Sequence, residues 1–239
     1  MEQTPPRNFG SGELSEFIDL AHQNTFASYV NFRSQYQRLE DITQLYTILI
    51  DHLTNTPELV AGFFLLRAHS AFLGAARLSL SGQVPEAFMV LRACLENGLY
   101  GLYISRRPAS ADIWLRRHES DSAKSKVRRE FSGQNLWRVL ENENRNIYEV
   151  ANMLYERTID YGAHPNEKAL MSTLNLQPGP EGVRFEVNYL IDDLPNVSMC
   201  LKTNAQIGVC TLDIFRCVYK ERFDLVGLTE RLLRLKQGL

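Results

Sequence analysis

The segment PEAFMVLRACLENGLYGLYI, residues 85–104, decides the fold. Its apolar side chains fall on nearly every side of a helical turn, as in a central, buried helix of a bundle. Pro85 stands at its start, where a helix needs no N–H. Two charges interrupt it, Arg92 and Glu96, one turn apart on one face. Arg before Glu is the weaker order for local helix support, so helix stability alone does not explain the pair. An uncompensated buried ion is costly, and the preceding helix offers Arg67, His69 and Arg77 as partners. The pair either locks helix packing or forms the polar floor of a binding site.

Working outward, Pro57, Pro108 and Pro195 also stand just before helical patterns. Helices are predicted near 11–53 (either continuous or broken), 57–81, 85–105, 109–130, 134–144, 146–163, 195–219 and 222–237. The exception is residues 171–190. Pro178-Gly179-Pro180-Glu181-Gly182 is a dense turn signal, after which Phe185, Val187 and Tyr189 alternate with Arg184, Glu186 and Asn188. Thr173-Leu174-Asn175-Leu176 is the pairing strand. An isolated hairpin is marginal in water, so it is expected to lie on the helical body, as a lid, a dimer contact or a packed insertion. The expected fold is all-α: residues 11–239 as a single multi-helix domain with one small β-hairpin insertion, and residues 1–10, which hold Pro5 and Pro6, as a flexible tail.

With 44% hydrophobic and 23% charged residues in 239, wholesale disorder is excluded and a sizeable core is affordable. Cys94, Cys200, Cys210 and Cys217 form no CxxC and have no His at zinc-finger spacing, so no metal site is expected. No Gly-rich phosphate loop, HExxH or nucleophile elbow is present, and no cofactor is expected. Thiols in apolar runs and the lack of a signal-peptide pattern point to the cytoplasm. The most apolar stretch, 59–80, contains Arg67, His69 and Arg77, which reads as a core helix and not a membrane span. The net charge of −2 hides a basic stretch from Ser105 to Glu130, with eight Lys/Arg against four Asp/Glu. Lys124, Lys126, Arg128 and Arg129 within it are either a phosphate-facing patch or a solvated helix face.

The second constellation ends the 146–163 helix. Ile147, Val150, Leu154 and Tyr161 mark its inward face, and Arg157 falls on that face. His164, seven residues on, is expected on the same face two turns along, with Gly162 and Pro165 ending the helix there. A guanidinium that holds phosphate oxygens beside a His that moves protons suits metal-independent phosphodiester chemistry. The plainer alternative is a capping His and an Arg paired with Glu96 or Asp160.

Arg157-(six residues)-His164 resembles the signature of the HEPN superfamily of small helical domains, an Arg followed by a His at a helix end. Many members are metal-independent RNases that build a composite site at a dimer interface. A group of bacterial HEPN-like proteins is similar in a further way. They share a helix like Val90-Leu91-Arg92-Ala93-Cys94-Leu95-Glu96 and a later motif like His164-Pro165-Asn166. The resemblance covers about residues 57–170, and Thr158 stands where active members commonly carry Asn. It implies catalytic Arg157 and His164, with Arg92, Glu96, Asp160, Tyr161 and Asn166 in support and the Lys124–Arg129 stretch on RNA. It also implies a homodimer acting on RNA, or, in non-cutting relatives, a domain that binds a nucleotide-like ligand or a partner protein. No membrane partner is expected.

Overall fold

A computed structural model describes residues 11–165, 167–171, 173–179 and 182–239. The tail predicted over residues 1–10 lies outside the described residues. The central helix forms as its sequence demands. α4 (Val84–Arg106) buries Leu91, Cys94, Leu95, Leu99 and Leu102 completely or nearly so. Around it lie α1 (Glu13–Asn31), α2 (Arg33–Asp51), α3 (Leu59–Leu80), α5 (Ala109–Leu115), α6 (Asp121–Glu130), α7 (Gly133–Glu143), α8 (Arg145–Thr158) and α9 (Glu167–Met171). A hairpin follows, of β1 (Leu174–Gly179) and β2 (Gly182–Val187), and then α10 (Leu194–Val218), α11 (Lys220–Leu225) and α12 (Leu228–Lys236). The fold is an all-α bundle with one small two-stranded insertion.

α3 and α4 run antiparallel, with Gly74 beside Val90, the Cys94 thiol donating to the Ala68 carbonyl, and Gly101 against Phe64. α10 closes the core over both. A Cβ on Gly208 would run into the Phe72 ring, so only glycine lets α10 approach α3 this closely. Tyr46 of α2 is fully buried and donates to the Gly208 carbonyl at 3.3 Å. Burial pushes the Cys94 thiol up to about 11 and the Cys200 thiol up to about 12. By length and composition, α3 is long and apolar enough to cross a membrane. Here one face packs into the bundle while Arg67 and Arg77 stand exposed.

Three predicted helices are divided. The 11–53 helix breaks at Phe32, and the 109–130 helix breaks where the Ser120 hydroxyl accepts from the Ala123 N–H to start α6. The 222–237 helix becomes two, around Gly227 at φ 68°. The hairpin forms between the two predicted strands, with Leu174 opposite Val187 and Leu176 opposite Phe185. It does not lie flat on the helical body, because every residue of β2 is exposed.

Candidate functional site

The Arg92–Glu96 pair meets α8, not α3. Arg92 donates from Nε to Glu96 Oε1 at 2.9 Å and from Nη2 to the Tyr155 hydroxyl at 2.6 Å, and that hydroxyl donates to Glu96 Oε1 at 3.2 Å. The guanidinium also sits over the Tyr155 ring, and Trp137 of α7 packs edge-on against Tyr148 and Tyr155 of α8. The side chains of Arg92 and Glu96 keep 24% and 41% of their exposure, so the triangle forms the wall of a surface and not a sealed core. Burial would lower the Arg92 pKa, but the Glu96 hydrogen bond, followed by the interactions with Tyr155 and the Glu96 charge, outweighs it and holds the guanidinium above its ordinary value. Burial, then the Glu96 charge, raises the Tyr155 phenol. The partners expected on α3 are elsewhere. His69 stacks on Tyr46 at 5.0 Å with its pKa lowered by burial, and Arg67 and Arg77 face solvent. The i,i+7 spacing of Tyr148 and Tyr155 was the readable sign that an aromatic stripe of α8 would come to this corner.

Arg157 does lie on the inward side of α8, half-buried, and reaches α10. Its Nη1 donates to Gln206 Oε1 at 2.7 Å and to Thr203 Oγ1 at 3.3 Å. Among the described residues it has no carboxylate within ion-pair distance, so the expected pairing with Glu96 or Asp160 does not form. Asp160 pairs with Lys168 at 2.7 Å, and Lys168 also lies over the ring of Tyr161, which stacks on Phe88. Gln206 continues into a cavity of about 350 Å³ between α8, α10 and the chain after α12. Its walls are apolar, from Ile147, Val150, Met153 and Val209, with the Asn146 amide and Lys236 at the rim. Asp213 at its base is buried and neutralised by Arg216 and Lys236.

His164 is not on the face of Arg157. Residues Ile159–Ala163 form a wider π turn, and Gly162 leaves helical geometry to press on the backbone of Pro85, where a Cβ would collide with the Pro85 carbonyl. His164 is then extended, at φ −137° and ψ 150°. The angular argument of 100° per residue fails because the pitch changes before the seventh step. His164 is exposed, on a cleft of about 700 Å³ shared with Pro85, Glu86 and Met89 of α4, Leu170 of α9, and Val187 and Tyr189 of the hairpin. Asn166 lies outside the described residues. Arg157 and His164 therefore have separate surroundings within one protomer.

The basic stretch occupies the other end of α4, where Tyr103 donates to Glu130 of α6. From Pro85 to Tyr103 a helix rises about 27 Å. Lys124 pairs with Asp121, whereas Lys126, Arg128 and Arg129 are exposed and form no ion pair among the described residues. The structure thus brings Arg92, Glu96 and Tyr155 together, and Asp160 with Tyr161 and Lys168. It leaves Arg157, His164 and the basic stretch at three separate places. Among the described residues no three His, Cys, Asp or Glu side chains gather at one point.

No known relative was found. No protein-family model matches the chain, and no match to it was found among curated proteins or solved structures.

Proposed function

We propose that this chain is a HEPN-like, non-catalytic helical domain that binds a nucleotide-like ligand in the cavity beside Arg157. One observation carries the reading: among the described residues, the half-buried Arg157 guanidinium is bonded only to the neutral acceptors of Thr203 and Gln206. A buried cation is ordinarily matched by an anion, and a planar fork held by exchangeable neutral partners is free to take phosphate oxygens. The adjoining cavity suits the rest of such a molecule. Its apolar walls accept a heterocycle, and the Asn146 and Gln206 amides can read its edge.

The test is thermal melting with AMP, ADP, ATP, GMP and inorganic phosphate, for wild type and Arg157→Gln. A ligand at a hundredfold excess over its Kd adds about 2.7 kcal/mol, a shift of several degrees for a chain of this size. Wild type is expected to show such a shift with at least one nucleotide, and Arg157→Gln to lose it while melting normally without ligand. No shift with any of the five, or an undiminished shift in the variant, overturns the reading.

A second reading, a homodimeric metal-independent ribonuclease, is favoured by His164, which stands exposed on a cleft with room for a substrate. It requires a second protomer to bring a cation to that imidazole, since Arg157 of the same protomer is turned toward α10. RNA cleavage that resists chelator and disappears in a folded His164→Ala variant would establish it. Equal activity in that variant would end it.

A further inference from the structure

The cavity beside Arg157 has a neighbour. A second hollow, of about 290 Å³, lies between α2 and α10, where Ser34 and Arg38 face Lys202 and Ala205. Leu239 lines both hollows, so the short chain after α12 is the partition between them. That strap is tethered at Gly238. Its carbonyl accepts from Arg38 Nη1 at 3.3 Å, and its φ of 79° is one that glycine adopts freely. On the other side, Gln237 and Leu239 donate their N–H groups to the last turn of α12, to the carbonyls of Arg234 and Lys236.

The second hollow is short of negative charge. Arg38 is half-buried and Lys202 exposed, and among the described residues neither has a carboxylate within ion-pair distance. Ser34 adds a hydroxyl donor to the same wall. No aromatic ring among the described residues lines the hollow, so nothing there would stack on a base. For a guanidinium, 3.3 Å to a neutral carbonyl is a long bond. A phosphate oxygen makes a shorter, charge-assisted one, about twice as strong. An anion in the hollow therefore competes with Gly238 for Arg38. We propose that Arg38 and Lys202 form a second anion site, for a free phosphate ion, and that filling it releases the strap. Ala205 of this hollow and Gln206 and Val209 of the first are neighbours along α10, so withdrawal of Leu239 joins the two and widens the way to Arg157. The effect is reciprocal: phosphate raises the affinity for the cavity ligand by the factor that the ligand raises that for phosphate. This last consequence rests on the Arg157 reading; the site and the strap's release do not.

Calorimetric titration of the full chain with inorganic phosphate is expected to show binding that Arg157→Gln keeps and that Arg38→Gln and Lys202→Gln lose. Amide hydrogen exchange of the segment 232–239 reads the strap directly. Phosphate should speed it several-fold in wild type and leave it slow in Lys202→Gln, whose exposed side chain carries no part of the fold. Arg38→Gln lacks the tether and should exchange fast with or without phosphate. Saturating phosphate should lower the dissociation constant of whichever nucleotide binds about tenfold in wild type, and not in Lys202→Gln. ATP should leave the exchange of Arg157→Gln unchanged; a response equal to that with phosphate would overturn the assignment to the free ion. Absence of phosphate binding, binding undiminished in both Arg38→Gln and Lys202→Gln, or a strap that exchanges alike with and without phosphate overturns the proposal. Failure of every nucleotide to bind would sink the Arg157 reading alone, because phosphate titration and strap exchange are measured without one.

Discussion

Two arginines reach inward from neighbouring helices and meet opposite surroundings. Arg92 closes a triangle with a carboxylate and a phenol, each group satisfying the others. Arg157, two residues beyond that phenol's own residue on α8, finds among the described residues only a hydroxyl and an amide, and beside them a cavity. The first arrangement spends its charge on holding α4 to α8. The second keeps its charge available. The contrast teaches that burial of a guanidinium is no sign of function by itself; what matters is whether the anion is already there.

The largest break in this comparison should come from Gly162, because the helix that carries both Tyr155 and Arg157 is pinned at its end by the contact of Gly162 with Pro85. Gly162→Ala forces the backbones apart and is expected to cost about 3 kcal/mol, with both corners loosened together. Chemical denaturation gives the loss, and a shift in Trp137 fluorescence reports the α7–α8 corner. Arg92→Met should cost about 1–2 kcal/mol, since it leaves Glu96 and Tyr155 without their shared donor in a half-open site. It should leave any nucleotide-dependent melting shift intact. Arg157→Gln is the converse, with a stability change of roughly 0.5 kcal/mol and the ligand response gone. A variant of Arg92 that abolished ligand binding would erase the distinction.

The smallest effect is in alkali. The Tyr155 phenol is raised in the folded state, so as pH climbs through its unfolded value near 10 the unfolded chain loses this proton first, and stability falls from there upward. Below that pH the contribution is constant. Melting temperatures between neutral pH and the alkaline limit should fall slightly less steeply in Tyr155→Phe than in wild type. Identical slopes would show the Arg92 corner to be insensitive to the charge of its phenol.

Much of the helical layout was legible because apolar periodicity and proline positions report which face is inward. The need of Arg92 and Glu96 for a partner was legible for the same reason. The partner was not, since periodicity along one helix carries no information on which neighbour it meets, and α8 supplied Tyr155 where α3 had seemed the nearer source. Arg157 was placed on the right face. His164 was not, because a single glycine pressed against Pro85 changes the pitch over five residues, and an angular count cannot register a contact with a distant helix. The hairpin's two strands were legible from the turn signal and the alternation, but alternation is equally consistent with lying on the body or standing away from it.

The buried thiols of Cys94 on α4 and Cys200 on α10 carry a practical consequence. Thiols raised to about 11 or 12 are almost wholly protonated near neutrality, and those of Cys94 and Cys200 are also walled in. Alkylating reagents can therefore reach them only in moments when α10 parts from α3 and α4. The rate of modification would time that breathing, and the bundle contains its own stopwatch.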